Sequence, residues 1–136
     1  MKKKFGIVLA AFVLFAVFVP LTVSAEVRPT GAGEWDYVGS SDFKNRDVDL
    51  GLWFTNYVHS GGGNFMACVD PTKRQHSYAL WEYDPSASKK VAAKTSNGGC
   101  LTFNNIGSYV DGANNKAEFM LSTTNPEGGG GVTFWD

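Results

Sequence analysis

The chain is poor in the residues from which catalytic and metal sites are usually built. It has two histidines and two cysteines in 136 residues, and no Gly-x-Ser-x-Gly turn to present a nucleophile. A hydrolytic triad needs a base beside a reactive hydroxyl or thiol, held by a carboxylate. His59 and His76 both border loop-like stretches, and neither sits at ligand spacing from another His or Cys, which argues against zinc as well. No stretch after residue 25 shows a 3.6-residue apolar period, so amphipathic helices are not expected there. No 12-residue EF-hand loop is present, and Lys73-Arg74 reads as a solvated loop pair. Nucleic acid and anionic membrane are therefore poor partners, since both require clustered Lys and Arg.

The N-terminus carries a clear pattern. Lys2, Lys3 and Lys4 precede an apolar run from Phe5 to Val19, then Pro20, then Val23-Ser24-Ala25 with small residues at the positions a signal peptidase reads. The run is shorter than the roughly 20 residues that span a bilayer. The expectation is export, with residues 1–25 a cleaved secretory signal peptide and residues 26–136 a single domain. No lipoprotein is expected, because no Cys stands at the cleavage site, and no stable membrane anchor remains after cleavage. The lysine-rich start and the Val-Ser-Ala site suggest a bacterial source. Removing three of the 12 Lys and Arg leaves nine against 13 Asp and Glu, a mildly acidic domain.

In an exported chain two cysteines imply one disulfide, and Cys68 with Cys100 is the only pairing available. Of four Trp, five Tyr and ten Phe, only four Phe fall in the leader; the rest crowd the domain, as suits pleated surfaces. Short aromatic and β-branched runs alternate with Gly, Asn, Asp, Pro and Ser, which predicts an all-β domain of eight or nine antiparallel strands. The predicted strands cover 34–38, 50–59, 65–69, 77–83, 89–95, 100–104, 108–111, 116–122 and 131–135. Leu50, Leu52, Phe54 and Val58 are expected on one face of theirs. Hairpin connections are expected to dominate after Ser77, and Gly128 to Gly131 to be mobile. A small β-sandwich is the preferred architecture, with a small barrel as the alternative, because either covers the apolar faces.

Candidate chemistry is sparse. Asp47 with Asp49, Glu82 with Asp84, and Asp111 supply carboxylates, but glycosidase work needs two facing each other across a cleft, and sequence spacing does not place them so. The domain is expected to be non-catalytic. No cofactor is expected. Calcium is the one metal considered, through Asp42, Asp47 and Asp49 or through Asp111 with Asn114 and Asn115, because hard oxygen ligands suit it. Aromatics on an accessible sheet face could stack on sugar rings: Trp53 with Tyr57, Trp81 with Tyr83, and Trp35 with Tyr37. Trp53, Tyr57, Trp81 and Tyr83 are the candidate binding residues.

The stretch Gly33-Glu34-Trp35-Asp36-Tyr37 resembles the Gly-x-Trp-x-Tyr opening of lactococcin 972-type bacteriocins, with Val38 where that pattern has Gly. The stretch Tyr78-Ala79-Leu80-Trp81-Glu82-Tyr83-Asp84 is similar to the central strand of bacterial pre-peptidase C-terminal domains. Each likeness spans a few residues, and both imply a β-sandwich. The functional expectation is a secreted, extracellular binding module for a cell-wall polymer, glycan or protein. The alternative is a bacteriocin-like toxin or an inhibitor of an extracellular enzyme.

Overall fold

The computed structural model describes residues 35–136. The leader, Glu34 and Gly33 lie outside the described residues. Ten strands follow in order: β1 (Tyr37–Asp42), β2 (Asn45–Asp47), β3 (Leu52–Phe54), β4 (Val58–Ser60), β5 (Phe65–Val69), β6 (His76–Glu82), β7 (Lys89–Ser96), β8 (Gly99–Phe103), β9 (Ala117–Thr123) and β10 (Gly131–Trp135). One four-residue 3-10 helix, Ile106–Tyr109, sits between β8 and β9. No helix among the described residues is long and apolar enough to cross a membrane.

The strands form two antiparallel sheets, and the fold is a small β-sandwich. One sheet runs β1-β10-β5-β8; the other runs β2-β3-β9-β6-β7, with β4 continuing the line of β3 along β9. Alternation decides which side chains enter the core. From the first sheet come Phe65, Ala67 and Val69 of β5, with Val132 and Phe134 of β10; from the second come Tyr78 and Leu80 of β6, with Phe119 and Leu121 of β9. The alternation expected for β6 and β9 is the one observed.

Four expectations are corrected. Only β2–β3 and β6–β7 are hairpins of consecutive strands, so hairpin connectivity does not dominate after Ser77. The Ser96–Gly99 turn carries the chain from one sheet to the other. Gly98, at φ +134°, lies so close to Pro71 that a Cβ would come within 2.7 Å of its Cα. A Gly-rich signal licenses a reversal; it does not say in which sheet the returning strand pairs. Residues 108–111, expected as a strand, form none: Ser108 and Tyr109 lie in the 3-10 turn that seats Ile106 at 1% exposure in the core, and Asp111 makes only an isolated bridge to Lys116. The Gly128–Gly131 segment is tied down. Gly129 N–H donates to the Phe43 carbonyl (3.0 Å), Phe43 N–H to that of Gly130 (3.3 Å), and Gly131 already belongs to β10.

The fourth correction concerns residues 50–59, which break into two strands. Phe54 faces Ser122 and Val58 faces Phe119, so three residues, Thr55 to Tyr57, stand opposite two on β9. That is a one-residue bulge. A one-residue slip flips side-chain parity, so Trp53 points inward before it and Val58 inward after it, while Phe54 points out. Thr55 holds the bulge at both ends: its N–H donates to the Leu121 carbonyl (2.9 Å), and its Oγ1 accepts from Leu121 N–H (3.0 Å). Leu50 is exposed in the β2–β3 loop rather than sharing a core face.

Candidate functional site

The outward face of the six-stranded sheet carries an apolar patch. Phe54 and Trp81 meet edge to face at 5.6 Å, and the Trp81 indole N–H donates to Ser122 Oγ at 2.9 Å. Beside them Tyr57, re-aimed by the bulge, stacks on Tyr83, with ring centroids 4.9 Å apart and planes 9° from parallel. Both tyrosines stay exposed, at 46% and 39%. They edge an open groove of about 700 Å³ whose apolar floor includes Phe54 and Met120. Asn45, Arg46, Asp47 and Asn56 supply its polar side, and Asn45 Nδ2 donates to Asn56 Oδ1 at 3.1 Å.

Two of the four candidate binding residues, Tyr57 and Tyr83, therefore come together at the groove. Trp81 shares their face and braces Phe54. Trp53 does not belong there. It packs against the core, donates from its indole N–H to the Pro126 carbonyl (3.3 Å), and lies under Gly128, where a Cβ would fall 2.5 Å from the ring. The Arg46 guanidinium stands 5.6 Å from the centroid of the same ring. Trp53 holds the β9–β10 loop in place. Tyr37 is exposed on β1 and meets Trp135 edge to face at 5.6 Å, away from this groove.

His59 follows Tyr57 on the same face. Its Nε2 lies 3.3 Å from Glu118 Oε1, which also accepts from Asn114 Nδ2 at 2.9 Å. This is the His–carboxylate meeting that a small hydrolase requires. A triad needs a nucleophile as well, and no Ser, Thr or Cys hydrogen-bonds His59 among the described residues. His76 lies apart, at the start of β6. The Asp42, Asp47 and Asp49 stretch does not converge: Asp47 Oδ1 accepts from the N–H groups of Asp49 (3.0 Å) and Leu50 (2.9 Å). Asn114 Oδ1 likewise accepts from Lys116 N–H at 3.0 Å to close its turn. Among the described residues no three His, Cys, Asp or Glu side chains group as metal ligands.

Acids crowd the end of β6. Burial, then the charge of Asp111, then those of Asp84 and Glu118, hold the Glu82 carboxyl above its ordinary range, against the opposing pull of Lys89. Asp84 is lowered, by the Ser86 hydroxyl first and by backbone N–H groups beside it. The raised Glu82 has a stability consequence. Its folded form holds the proton more tightly than the unfolded chain, so its contribution is favourable below the ordinary value of 4.5 and is lost as pH rises through the folded value. Glu82→Gln is expected to raise the unfolding midpoint at neutral pH, the gain disappearing below about pH 4. Paired melts across that range check it; a gain that persists in acid would assign the effect to packing.

A family profile described as the YndA coiled coil domain matches residues 37–134. The chain belongs to the YndA family. It is 40% identical over 128 residues to the uncharacterized protein YndA of Bacillus subtilis (strain 168), covering 90% of this chain and 89% of that one. No solved structure matches. The coiled coil of the family description is not what the matched residues form, since a coiled coil needs heptad-patterned helices and residues 37–134 carry strands and one 3-10 turn. The YndA-family sandwich is joined by the Cys68–Cys100 disulfide, whose partners face each other across β5 and β8. Sequence reasoning missed Phe54, Met120 and Asn56 as groove residues, and Glu118 as the partner of His59. Inserting one residue at the bulge when aligning 50–59 to 117–123 is the signal that recovers the first of these.

Proposed function

We propose that this YndA-family protein is an exported, non-catalytic binding module that holds a cell-wall glycan in the groove beside Tyr57 and Tyr83. The observation that carries the reading is the exposed, pre-stacked tyrosine pair at the edge of an apolar-floored groove with polar groups on its far side. Sugar rings present apolar faces and polar edges. An aromatic plate takes the first, and Asn45, Asp47 and Asn56 suit the second. Because the two rings already stack on each other, little side-chain freedom is lost on binding.

Purified protein is expected to co-sediment with a cell-wall polysaccharide fraction, and Tyr57→Ala or Tyr83→Ala each to weaken retention about tenfold. Unchanged melting curves should show that both variants fold. Absence of retention on every wall fraction would remove the glycan reading.

One feature favours a second reading, an inhibitor or toxin that acts through a loop. Between β2 and β3, Val48 is 77% exposed and Leu50 55%, on a turn stiffened by the two hydrogen bonds to Asp47. A rigid apolar tip of this kind suits insertion into a protein partner's pocket. Val48→Asp should then abolish partner capture while leaving glycan retention intact.

A further inference from the structure

The groove does not end at the tyrosines. A second cavity of about 410 Å³ lies on their other side, lined by the same Tyr57 and Tyr83 together with Asn114 and Glu118. Pro85, Gly112 and Ala113 complete it with short side chains. The stacked pair is thus a shared wall between two lobes, and a ligand filling both must cross it as a chain. From the geometry we infer that the site takes a linear glycan bearing free amines, the ammonium seated in this second lobe against Glu118. The inference rests on the glycan-binding reading above and names its ligand class.

Charge complementarity carries the argument. The first lobe is mixed, with Arg46 beside Asp47. The second is acidic: Glu118 lines it, and Glu82 next to it senses the charges of Asp111, Asp84 and Glu118 against Lys89. Glu118 is also oriented for use. Its Oε1 is engaged by Asn114 and lies beside His59 Nε2, while Oε2 has no hydrogen-bond donor among the described residues. An ammonium placed there gains a charge-assisted hydrogen bond and lies against the tyrosine rings, whose faces attract cations. N-acetylation would remove that charge and leave a bulkier, neutral amide.

A lysine-bearing peptide offers the same ammonium, and β2, which lines the first lobe, is among the described residues an edge strand on which a peptide could pair. The second lobe, where the ammonium sits, offers no such edge: it is lined by loop residues and by Glu118 of β9, a strand already paired on both sides. Flat sugar rings need no such pairing.

Titration calorimetry with glucosamine and N-acetylglucosamine oligomers of equal length, in mildly acidic, low-salt buffer that keeps the amine protonated, tests the inference. The amine form is expected to bind about tenfold tighter. Glu118→Gln should bring the two affinities together. Raising salt to about 0.5 M should shrink the preference of the unmodified protein in the same way, independently of any variant. Equal affinities for the two sugars would overturn the amine assignment and leave the glycan reading standing. Binding of neither sugar would overturn both. Competition by an oligolysine as effective as the amine sugar would overturn the glycan in favour of a peptide.

Discussion

Phe119→Ala is expected to cost about 3–5 kcal/mol of unfolding free energy, the range of buried Phe truncations that leave an unfilled cavity. Phe119 has no exposed surface and sits on β9, the strand that joins β3 and β4 to β6. Its ring lies 5.0 Å from Phe65 of the opposite sheet and 6.1 Å from Tyr109 of the 3-10 turn. Phe65 in turn stacks on Phe134 at 5.7 Å. Removing one ring therefore empties the point where both sheets and the 3-10 turn meet, and its neighbours are held by their own strands and cannot collapse inward. A domain of this size is stable by only about 5–15 kcal/mol, so the variant should lose a large share of that. Urea unfolding checks it: the midpoint should fall sharply with an unchanged slope, the sign that stability rather than compactness has moved. A loss below about 1 kcal/mol would mean that the core refills the space.

Phe119 also shows which parts of the fold can be read from sequence. The 116–122 stretch alternates without interruption, so its inward and outward residues are predictable from period alone, and the same holds for 77–83. Period fails where the chain inserts a residue. Thr55–Tyr57 looks like uninterrupted strand because Thr, Asn and Tyr carry no Gly or Pro to mark the bulge; only the flanking pairs, Phe54 with Ser122 and Val58 with Phe119, reveal it. Residues 108–111 fail for another reason. Ile106 is drawn into the core by the sandwich, and the local chain adopts a 3-10 turn to deliver it, a tertiary demand that strand propensity does not record. The sheet-crossing turn at Ser96–Gly99 is likewise set by where β5 lies.

The site inherits both the successes and the failure. Alternation puts Trp81 and Tyr83 on one side of the 77–83 stretch and Tyr78 and Leu80 on the other, and Tyr78 and Leu80 are the pair in the core. The bulge exchanged Trp53 for Phe54 on the outward face and brought Tyr57 onto Tyr83. The same irregularity that hides the site from a periodic reading builds it, because an unbroken strand would aim Tyr57 and Val58 at the opposite faces. The groove and the core thus share one structural cause.

Replacing both cysteines, Cys68→Ala with Cys100→Ala, is expected to cost about 3–4 kcal/mol, the chain-entropy value for a cross-link of this span. The residues are 32 apart in sequence and directly opposed on β5 and β8. The loop between them contains β6 and β7, so the cross-link in one sheet restrains the hairpin of the other even in the unfolded chain. Among the described residues β8 is an edge strand with β5 as its only partner, and the bond fixes it at the second residue of the strand. The disulfide lies on the outward side, with Cys68 half-buried and Cys100 exposed. Its removal leaves little cavity, so the loss should come from the chain constraint and not from packing. The melting midpoint should drop by on the order of 15 °C. Reduced protein and the double variant should then unfold at the same point, since each lacks the cross-link and keeps the same core. A double variant that matches the oxidised protein would show that the pairing of β8 with β5 is already secured by Leu101 and Phe103, both buried between the sheets.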